Sequence, residues 1–407
     1  MKVLLLSISF FCLLFVSQVQ SQGISFTETN FNQLIQNARQ QNKLAFVEVY
    51  LNGCPHCAAL EPILKEKKVG DFWNPSFVSM KIEANSQVSK ELQQAKGITY
   101  TEFPLFFFFD TNGQLIHQSA PSETPNKAAF IQEVIQLGNE ALTPQLRTSN
   151  YAARFAKGDR DLGFLINYAK YSATTKNEVR LTELNTEIGK IVTQPTDIES
   201  QVGFYILSRL INDFKNPMAQ YFFAHIPKFK IHNTAEAPKA VQEAGEHIIH
   251  STLYGKRAAQ LSSQEIVQMR KAMEKLGIPA KTAAQRTLLK ELEAHFKEKN
   301  TPAATARLNE YKKTVKLEFL DYAYLVRYFN EKATDNTYIP SLLVWCQDAL
   351  ALVKPNERNR KDVADIYFEQ AKAYQRAGKK QEAKKALDTA IGIAKNAKID
   401  TTPYKLN

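Results

Sequence analysis

The chain is poor in cysteine, and this shortage narrows its class. Four cysteines occur in 407 residues, and one of them, Cys12, lies in the apolar N-terminal segment. So few cysteines in a chain of this length exclude a small domain stapled by several disulfides. Two of them, Cys54 and Cys57, are separated by only two residues, in "VEVYLNGCPHCAALEP". A tight pair in a cysteine-poor chain suits a redox function better than a structural one.

Long apolar runs are scarce as well. After the N-terminus no run is long enough for a membrane helix, and "FPLFFFFD" has the length of a strand. The chain begins "MKVLLLSISFFCLLFVSQVQSQG", with one lysine, a short apolar run, and small or polar residues before Gln22. This pattern predicts a signal peptide over residues 1–21, with an uncleaved anchor as the alternative. A signal peptide implies export to an oxidising compartment.

The chain has fewer acidic than basic residues, with 41 Asp and Glu and 52 Lys and Arg. The basic excess lies in the part of the chain after Gln145. We interpret it as lysine-rich, solvated helix faces, with an anionic surface or acidic partner as the alternative. The sequence has neither the spacing of a zinc finger nor an RNA-binding signature, so it does not indicate a nucleic-acid partner.

Hydrophobic periodicity divides the rest of the chain into two regions. Residues 22–142 alternate helices with the strand patterns "LAFVEVYL", "FVSMKIEA", "PLFFFFD" and "LIHQSA", which predicts an α/β domain with a mixed sheet flanked by helices. The helix "CAALEPILKEKK" is expected to kink at Pro62. Residues 143–407 have helical periodicity and predict an all-α array. Within it, residues 364–397 match a tetratricopeptide-like unit, with Gly378 at the turn between two helices.

The cysteine pair lies where the first long strand passes into a helix. Free N–H groups and the positive end of the helix dipole favour a thiolate at Cys54, and Cys57 is close enough to form a disulfide with it. A zinc site would need two more ligands, which no neighbouring motif supplies. Ala58 directly after the pair excludes covalent haem attachment. A purely structural disulfide across so short a loop would stabilise little.

Two neighbouring residues support the redox interpretation. Glu48 interrupts an apolar strand six residues before Cys54, and a buried carboxylate is costly unless it has a use or a partner. Burial would raise the pKa of Glu48 and suit it to exchange a proton with Cys57. The alternative is a glutamate that points outward from an edge strand. His56, between the cysteines, is expected to stabilise the Cys54 thiolate and to make the disulfide more oxidising.

In these residues the region 22–142 resembles the thioredoxin superfamily. The motif "CPHC" has the dipeptide that is seen in periplasmic disulfide oxidases. The sequence around the motif resembles the thioredoxin-like reductases of the bacterial envelope more. The resemblance implies a thioredoxin-like fold and a reversible disulfide between Cys54 and Cys57. It also implies that Pro55 and His56 face the substrate, and that no cofactor or metal is needed.

Four further positions follow from the same resemblance. Glu48 matches a buried acid that carries the proton of the second cysteine, and Lys81 matches its lysine partner. Pro104 matches a cis-proline that shapes the peptide-binding groove, and Phe103 before it would contact the substrate backbone. The sequence departs from the family at Gly53, where tryptophan is usual, and in "GITYTEFP", which is longer than the usual approach to the proline. Both departures alter the rim of the groove.

The sequence therefore predicts an exported thiol–disulfide oxidoreductase, in the periplasm of a Gram-negative bacterium or otherwise secreted. Its substrates would be protein thiols or disulfides, and a membrane or envelope redox partner would reset the cysteine pair. The helical region would dock a partner or substrate. The alternative is a non-catalytic, chaperone-like protein in which the helical array binds partners and the α/β part is structural. Cys346, among apolar residues, is expected to be a buried inert thiol.

Overall fold

The computed structural model describes residues 23–122, 124 and 126–406. The predicted signal peptide lies outside these residues. The chain forms two compact units, which divide between Ile188 and Gly189. The predicted boundary after Leu142 coincides with the end of a helix, and the residues from 143 to 188 belong to the first compact unit. In the described part of the chain, no helix is both long and apolar enough to cross a membrane.

A five-stranded mixed sheet forms the centre of the first unit. Its strands are β1 (Phe26–Glu28), β2 (Leu44–Tyr50), β3 (Phe77–Glu83), β4 (Leu105–Phe109) and β5 (Leu115–Ser119). Their order is β1-β3-β2-β4-β5. The first three strands are mutually parallel, whereas β4 runs antiparallel to both of its neighbours. The central strand, β2, is thus paired on both edges.

Helices cover both faces of this sheet. Those of the α/β part are α1 (Phe31–Gln41), α2 (Pro55–Leu64), α3 (Lys67–Ser76), α4 (Gln87–Lys96) and α5 (Lys127–Leu142). One apolar cluster joins α1 and α4 to Val47 and Phe107 of the sheet, and a second joins α2, α3 and α5 to Phe46 and Phe106. All five side chains of β4 are buried, as expected for a strand covered on both faces. This is a thioredoxin-like fold.

Two elements differ from the sequence prediction. Strand β1 has three residues, which is too short for a periodic pattern to reveal it. The predicted long helix from Cys57 ends at Leu64, two residues after Pro62, and a separate helix, α3, begins at Lys67. A proline in a helix removes one hydrogen bond and crowds the preceding turn. Here the chain stops the helix near Pro62 and starts another.

Three more helices follow α5: α6 (Tyr151–Ala156) and α7 (Leu162–Thr174) belong to the first unit, and α8 (Glu178–Ile191) belongs to it as far as Ile188. A short 3₁₀ turn before α6 is fixed to the last strand, because the Gln118 N–H donates to Thr148 Oγ1 at 3.2 Å and the Thr148 N–H donates to His117 Nδ1 at 3.2 Å. Further on, the Thr99 N–H donates to the carbonyl oxygen of Thr174 at 2.8 Å. The region after α5 therefore packs against the α/β part at two places.

The second unit is an all-helical array, as the sequence predicts. After α8 the helices are α9 (Pro195–Glu199), α10 (Gln201–Arg209), α11 (Pro217–Ala224), α12 (Ile226–Phe229), α13 (Ala240–Tyr254), α14 (Ser263–Lys275), α15 (Ala280–Lys297), α16 (Thr301–Thr314), α17 (Phe319–Lys332), α18 (Ile339–Ala351), α19 (Lys361–Arg376) and α20 (Lys380–Asn396). The last two form a helix pair at the place where the sequence predicts a tetratricopeptide-like unit. Gly378 has φ +74° at their turn, a conformation that favours glycine. Buried Ala364, Ala390 and Ala394 share one cluster.

A buried charge lies inside the helical array. The Glu291 side chain has no exposed surface. Arg270 Nε donates to its Oε1 at 2.8 Å, Thr287 Oγ1 donates to the same oxygen at 3.0 Å, and Arg307 forms an ion pair with Oε2. Removing one partner of such a cluster leaves the remaining charges buried without compensation. The carboxylate of Glu291 thus holds three helices, α14, α15 and α16, together.

We expect Glu291→Gln to lower the free energy of unfolding by about 3–5 kcal/mol, because both arginines lose their counter-charge in a dry environment. The matched control is Glu293→Gln on the same helix, whose partly exposed pairs with Lys290 and Lys297 are each worth about 1 kcal/mol or less. Urea denaturation followed by circular dichroism measures both variants. Equal effects of the two substitutions would contradict the assigned role of Glu291.

Candidate active site

The turn from β2 to α2 places the two cysteines. Gly53 has φ +79°, which lets the chain reverse before the helix. Cys54 is the N-cap of α2, and its sulfur accepts a hydrogen bond from the Cys57 N–H at 3.3 Å. Pro55 occupies the first helical position, where its missing N–H costs nothing. The Cys54 sulfur therefore lies at the positive end of the helix.

The two thiols differ in access to solvent. They are close together but unbonded, and the structure describes the dithiol form. Cys54 is partly exposed, whereas Cys57 is only 8% exposed. Burial, together with the hydrogen bond to Cys54, raises the pKa of the Cys57 thiol to about 12. An incoming sulfur can therefore reach Cys54, while Cys57 remains a protected thiol.

The loop before β4 lies beside the outer cysteine. The peptide bond between Phe103 and Pro104 is cis. The Cys54 thiol lies 3.8 Å from the carbonyl oxygen of Phe103, to which it donates. Pro104 is buried and Phe103 is partly exposed. The backbone edge at Phe103 is thus next to the sulfur that a substrate would reach, where the sequence predicts the substrate-contacting residues.

Glu48 lies inside the domain and not on an edge strand. It is on the central strand β2, is only 1% exposed, and alternates with Val47 and Val49, which face the α1 and α4 side. Its side chain is therefore on the face covered by α2. Burial raises the pKa of Glu48 to about 7, although the charge of Lys81 opposes this rise. The charge of Glu48 in turn is among the causes that raise the pKa of Cys57.

Lys81 is shared between two carboxylates. Its Nζ is 3.5 Å from Glu48 Oε2, and it forms a shorter hydrogen bond with Oε2 of Glu61. Burial alone would lower the pKa of Lys81, but the two carboxylates outweigh burial and raise it. The ammonium group also lies 5.0 Å from the ring centroid of Tyr50. Lys81 therefore remains a cation in a partly buried position.

Glu61 is a site residue that the sequence analysis missed. It lies on α2, four residues after Cys57, so that both side chains are on the same side of the helix. The hydrogen bond from Lys81 lowers the pKa of Glu61, whereas the charge of Glu61 contributes to the raised pKa of Glu48. The helical spacing from Cys57 was the one signal in the sequence that could have identified this residue.

The structure thus brings most of the predicted residues together. Cys54, Cys57, Phe103 and Pro104 form the outer part of the site, and Glu48 with Lys81 forms its inner part. Glu61 contacts Lys81 and is partly exposed. Pro55 and His56 are exposed at the start of α2. The expected influence of His56 on the redox balance stays a prediction.

Two features lie outside this site. Cys346 is fully buried in the helical array, and burial raises its pKa to about 12, which makes it a poor nucleophile. A groove of about 670 Å³ crosses α13, α15 and α17. We call it the aromatic groove and define it by the side chains Tyr254, Leu289, Phe296, Tyr324 and Tyr328. Arg286, Lys290, Lys297 and Lys332 line it as well.

Comparisons with known proteins add little to this description of the site. No family model matches the chain, and no curated protein matches it significantly. The solution structure of a candidate disulphide-isomerase from Bacteroides thetaiotaomicron is similar in part, with 26% sequence identity over 30% of this chain and 96% of that chain. The TM-score is 0.25, which is too low to support a conclusion about fold or activity. The fold assignment depends on the sheet order and packing described above.

We expect the Glu48 carboxyl group to titrate near pH 7 in the reduced protein, because burial disfavours its charged form. Carbon-13 NMR of labelled glutamate measures this midpoint, and Glu48→Gln identifies the resonance by removing it. A midpoint close to 4.5, the ordinary value, would show that the carboxylate is solvated or fully compensated.

The same shift predicts a pH dependence of stability. The folded protein binds this proton more tightly than the unfolded chain, so the resulting stabilisation is present below pH 4.5 and is lost as the pH rises to about 7. Across that interval Glu48→Gln should gain roughly 3 kcal/mol relative to the unsubstituted protein. Denaturation of both reduced proteins at several pH values measures the difference, and a flat difference would exclude the raised pKa.

Proposed function

We propose that the protein is a thiol–disulfide oxidoreductase that acts on protein thiols or disulfides through Cys54 and Cys57. The observation that carries the proposal is the asymmetry of the pair: Cys54 has a partly exposed sulfur at a helix N-terminus, and Cys57 is buried, with its backbone N–H donating to that sulfur. A purely structural cysteine pair gains nothing from one reachable sulfur. The carbonyl oxygen of Phe103 beside the Cys54 sulfur and the buried Glu48 support the same function.

In the reducing direction, the Cys54 thiolate attacks one sulfur of a substrate disulfide. A mixed disulfide forms, and the first substrate thiolate leaves. The Cys57 thiolate then attacks the Cys54 sulfur, the second substrate thiolate leaves, and a disulfide joins Cys54 to Cys57. Two electrons pass from the pair to the substrate, and the two protons of the pair are released. The reverse sequence oxidises a substrate dithiol.

The buried groups manage the proton of the second thiol. Cys57 must lose a proton before it can attack, and its pKa in the dithiol form is far above neutral. Glu48, with a pKa of about 7, is a base that can take this proton at neutral pH. The negative charge then passes from Glu48, which becomes neutral, to the Cys57 sulfur. Before this step Lys81, which Glu61 binds, favours the ionised form of Glu48 that accepts the proton. The substrate would lie along the exposed backbone at Phe103.

We also propose where the protein acts and what kind of partner it needs. The predicted signal peptide supports an exported protein, and a bacterial periplasm fits an exchange enzyme with few cysteines. After each reaction a membrane or envelope redox partner would return the pair to its starting state. Whether that partner is an oxidant or a reductant sets the direction of the reaction.

We expect Cys54→Ser to reduce insulin-disulfide reduction to the uncatalysed rate, because the attacking sulfur is lost. Cys57→Ser should instead accumulate a mixed disulfide with the substrate, since nothing resolves it. Cys346→Ser is the matched control and should retain full activity. Turbidity measures the first effect, and non-reducing electrophoresis with mass spectrometry measures the second. Equal activity of all three variants would refute the proposal.

We propose, as a second candidate, that the helical array binds segments of polypeptide in the aromatic groove. The observation that favours it is the exposure of large apolar side chains there: Tyr254 is 57% exposed, Leu289 46% and Tyr324 43%. The rings of Tyr324 and Tyr328 stack with centroids 5.8 Å apart. Rigid aromatic side chains on a folded scaffold bind partners at low entropic cost. This binding could accompany disulfide exchange or occur without it.

We expect the double variant Leu289→Ala and Tyr324→Ala to bind a denatured polypeptide about tenfold more weakly, as a loss of about 1.4 kcal/mol would produce. Val344→Ala is the matched control, because Val344 is 50% exposed on α18 but does not line the groove. Fluorescence anisotropy of labelled reduced, carboxymethylated α-lactalbumin measures binding without any disulfide chemistry. Equal affinities of both variants would exclude the groove.

A further inference from the structure

The loop before Pro104 is longer than is usual in the thioredoxin superfamily. Helix α7, which lies outside the α/β part, contacts this loop. The loop, residues 97–104, reads "GITYTEFP". The Thr99 N–H donates to the carbonyl oxygen of Thr174, the last residue of α7, at 2.8 Å. The hydroxyl groups of Thr101 and Thr174 are 3.4 Å apart. The middle of the loop is therefore attached to the C-terminal end of α7.

An ion pair makes a second attachment. Lys170 Nζ donates to Glu102 Oε2 at 3.0 Å, and both side chains are about three-quarters buried, at 21% and 24% exposed. Lys170 lies one turn before Thr174 on α7, so both attachments are on one face of that helix. A pair shielded to this degree interacts more strongly than a fully exposed one.

The ion pair lies one residue away from the carbonyl group that contacts the Cys54 sulfur. Glu102 precedes Phe103, and the carbonyl oxygen of Phe103 accepts from the Cys54 thiol at 3.8 Å. On its other side the loop is anchored to α4, because Ser89 Oγ donates to Tyr100 Oη at 2.9 Å. The backbone edge at Phe103, which would contact a substrate, directly follows these anchored residues. Its position relative to Cys54 therefore depends on α7.

We propose that Lys170 is a positioning residue for polypeptide substrates: through Glu102 it fixes the backbone at Phe103 beside the Cys54 sulfur. The inference rests on the proposed thiol–disulfide exchange. Fixing a loop before binding removes the entropic cost of ordering it when an extended substrate lies along it. A small disulfide that contacts only the sulfur gains nothing from the loop. Lys170 should therefore affect KM for polypeptides and leave small disulfides unaffected.

The kinetic test compares Lys170→Met with Lys170→Arg, using insulin and 5,5′-dithiobis(2-nitrobenzoic acid) as substrates. For Lys170→Met we expect KM for insulin to rise about fivefold, the equivalent of about 1 kcal/mol, with kcat nearly unchanged. The rate with the small disulfide should stay within about twofold of the unsubstituted protein. Lys170→Arg should restore KM because it keeps the charge. Lys127→Met, which removes another ion-paired lysine of the same unit, is the control.

A double-mutant cycle tests whether Glu102 transmits the effect. Glu102→Gln should raise KM for insulin as much as Lys170→Met does, and the double variant should be no worse than either single variant, because both remove the same ion pair. Additive effects would mean that the two residues act separately and would overturn the proposed connection.

Hydrogen exchange gives a readout that does not require activity. Amides of residues 99–104 should exchange faster in Lys170→Met than in the unsubstituted protein, while those of β2 stay unchanged. An unchanged exchange rate, or a faster rate without a change in KM for insulin, would overturn the positioning role. So would an equal loss of activity with both substrates. If the unsubstituted protein reduces neither substrate, it is the proposed function itself that fails, which is a different outcome.

Discussion

A buried carboxylate constrains the whole α/β part. Glu48 lies on the central strand, with β3 hydrogen-bonded on one edge and β4 on the other. Removing such a group from water is costly unless neighbouring charges compensate. The register of the sheet places Lys81 opposite Glu48 on β3, and Glu61 on α2 holds the lysine from the other side. The helix that carries the cysteines is thus tied to the sheet by charge as well as by apolar packing.

Burial makes the two cysteines chemically different. It raises the pKa of Cys57, and the hydrogen bond with Cys54 adds to this effect. Once Cys54 is in a mixed disulfide, it can no longer carry a negative charge, so one cause of the raised pKa disappears. Glu48 then offers a base at neutral pH. In the proposed exchange, the site therefore favours release of the Cys57 proton at the stage that needs it.

Local patterns in the sequence predicted the parts of this arrangement that depend on near neighbours. The spacing of Cys54 and Cys57 after an apolar strand indicated a helix N-terminus, and a glutamate within that strand indicated a buried acid. The sequence analysis missed β1, because three residues hold no period, and Glu61, because its partner Lys81 is 20 residues away. The contact between Glu102 and Lys170 spans 68 residues. Pairings over such separations depend on the tertiary fold, which periodicity does not reveal.

The long loop before Pro104 and the helices after Leu142 depend on each other. A loop of this length loses considerable conformational entropy when it is ordered, so something must hold it if its backbone is to bind a substrate. In this chain α4 holds one side through Tyr100, and α7 holds the other through Lys170 and Thr174. The α/β part alone supplies only the first of these anchors. The proposed substrate edge therefore depends on the first compact unit beyond its α/β part, and the long loop is accompanied by a helix that packs against it.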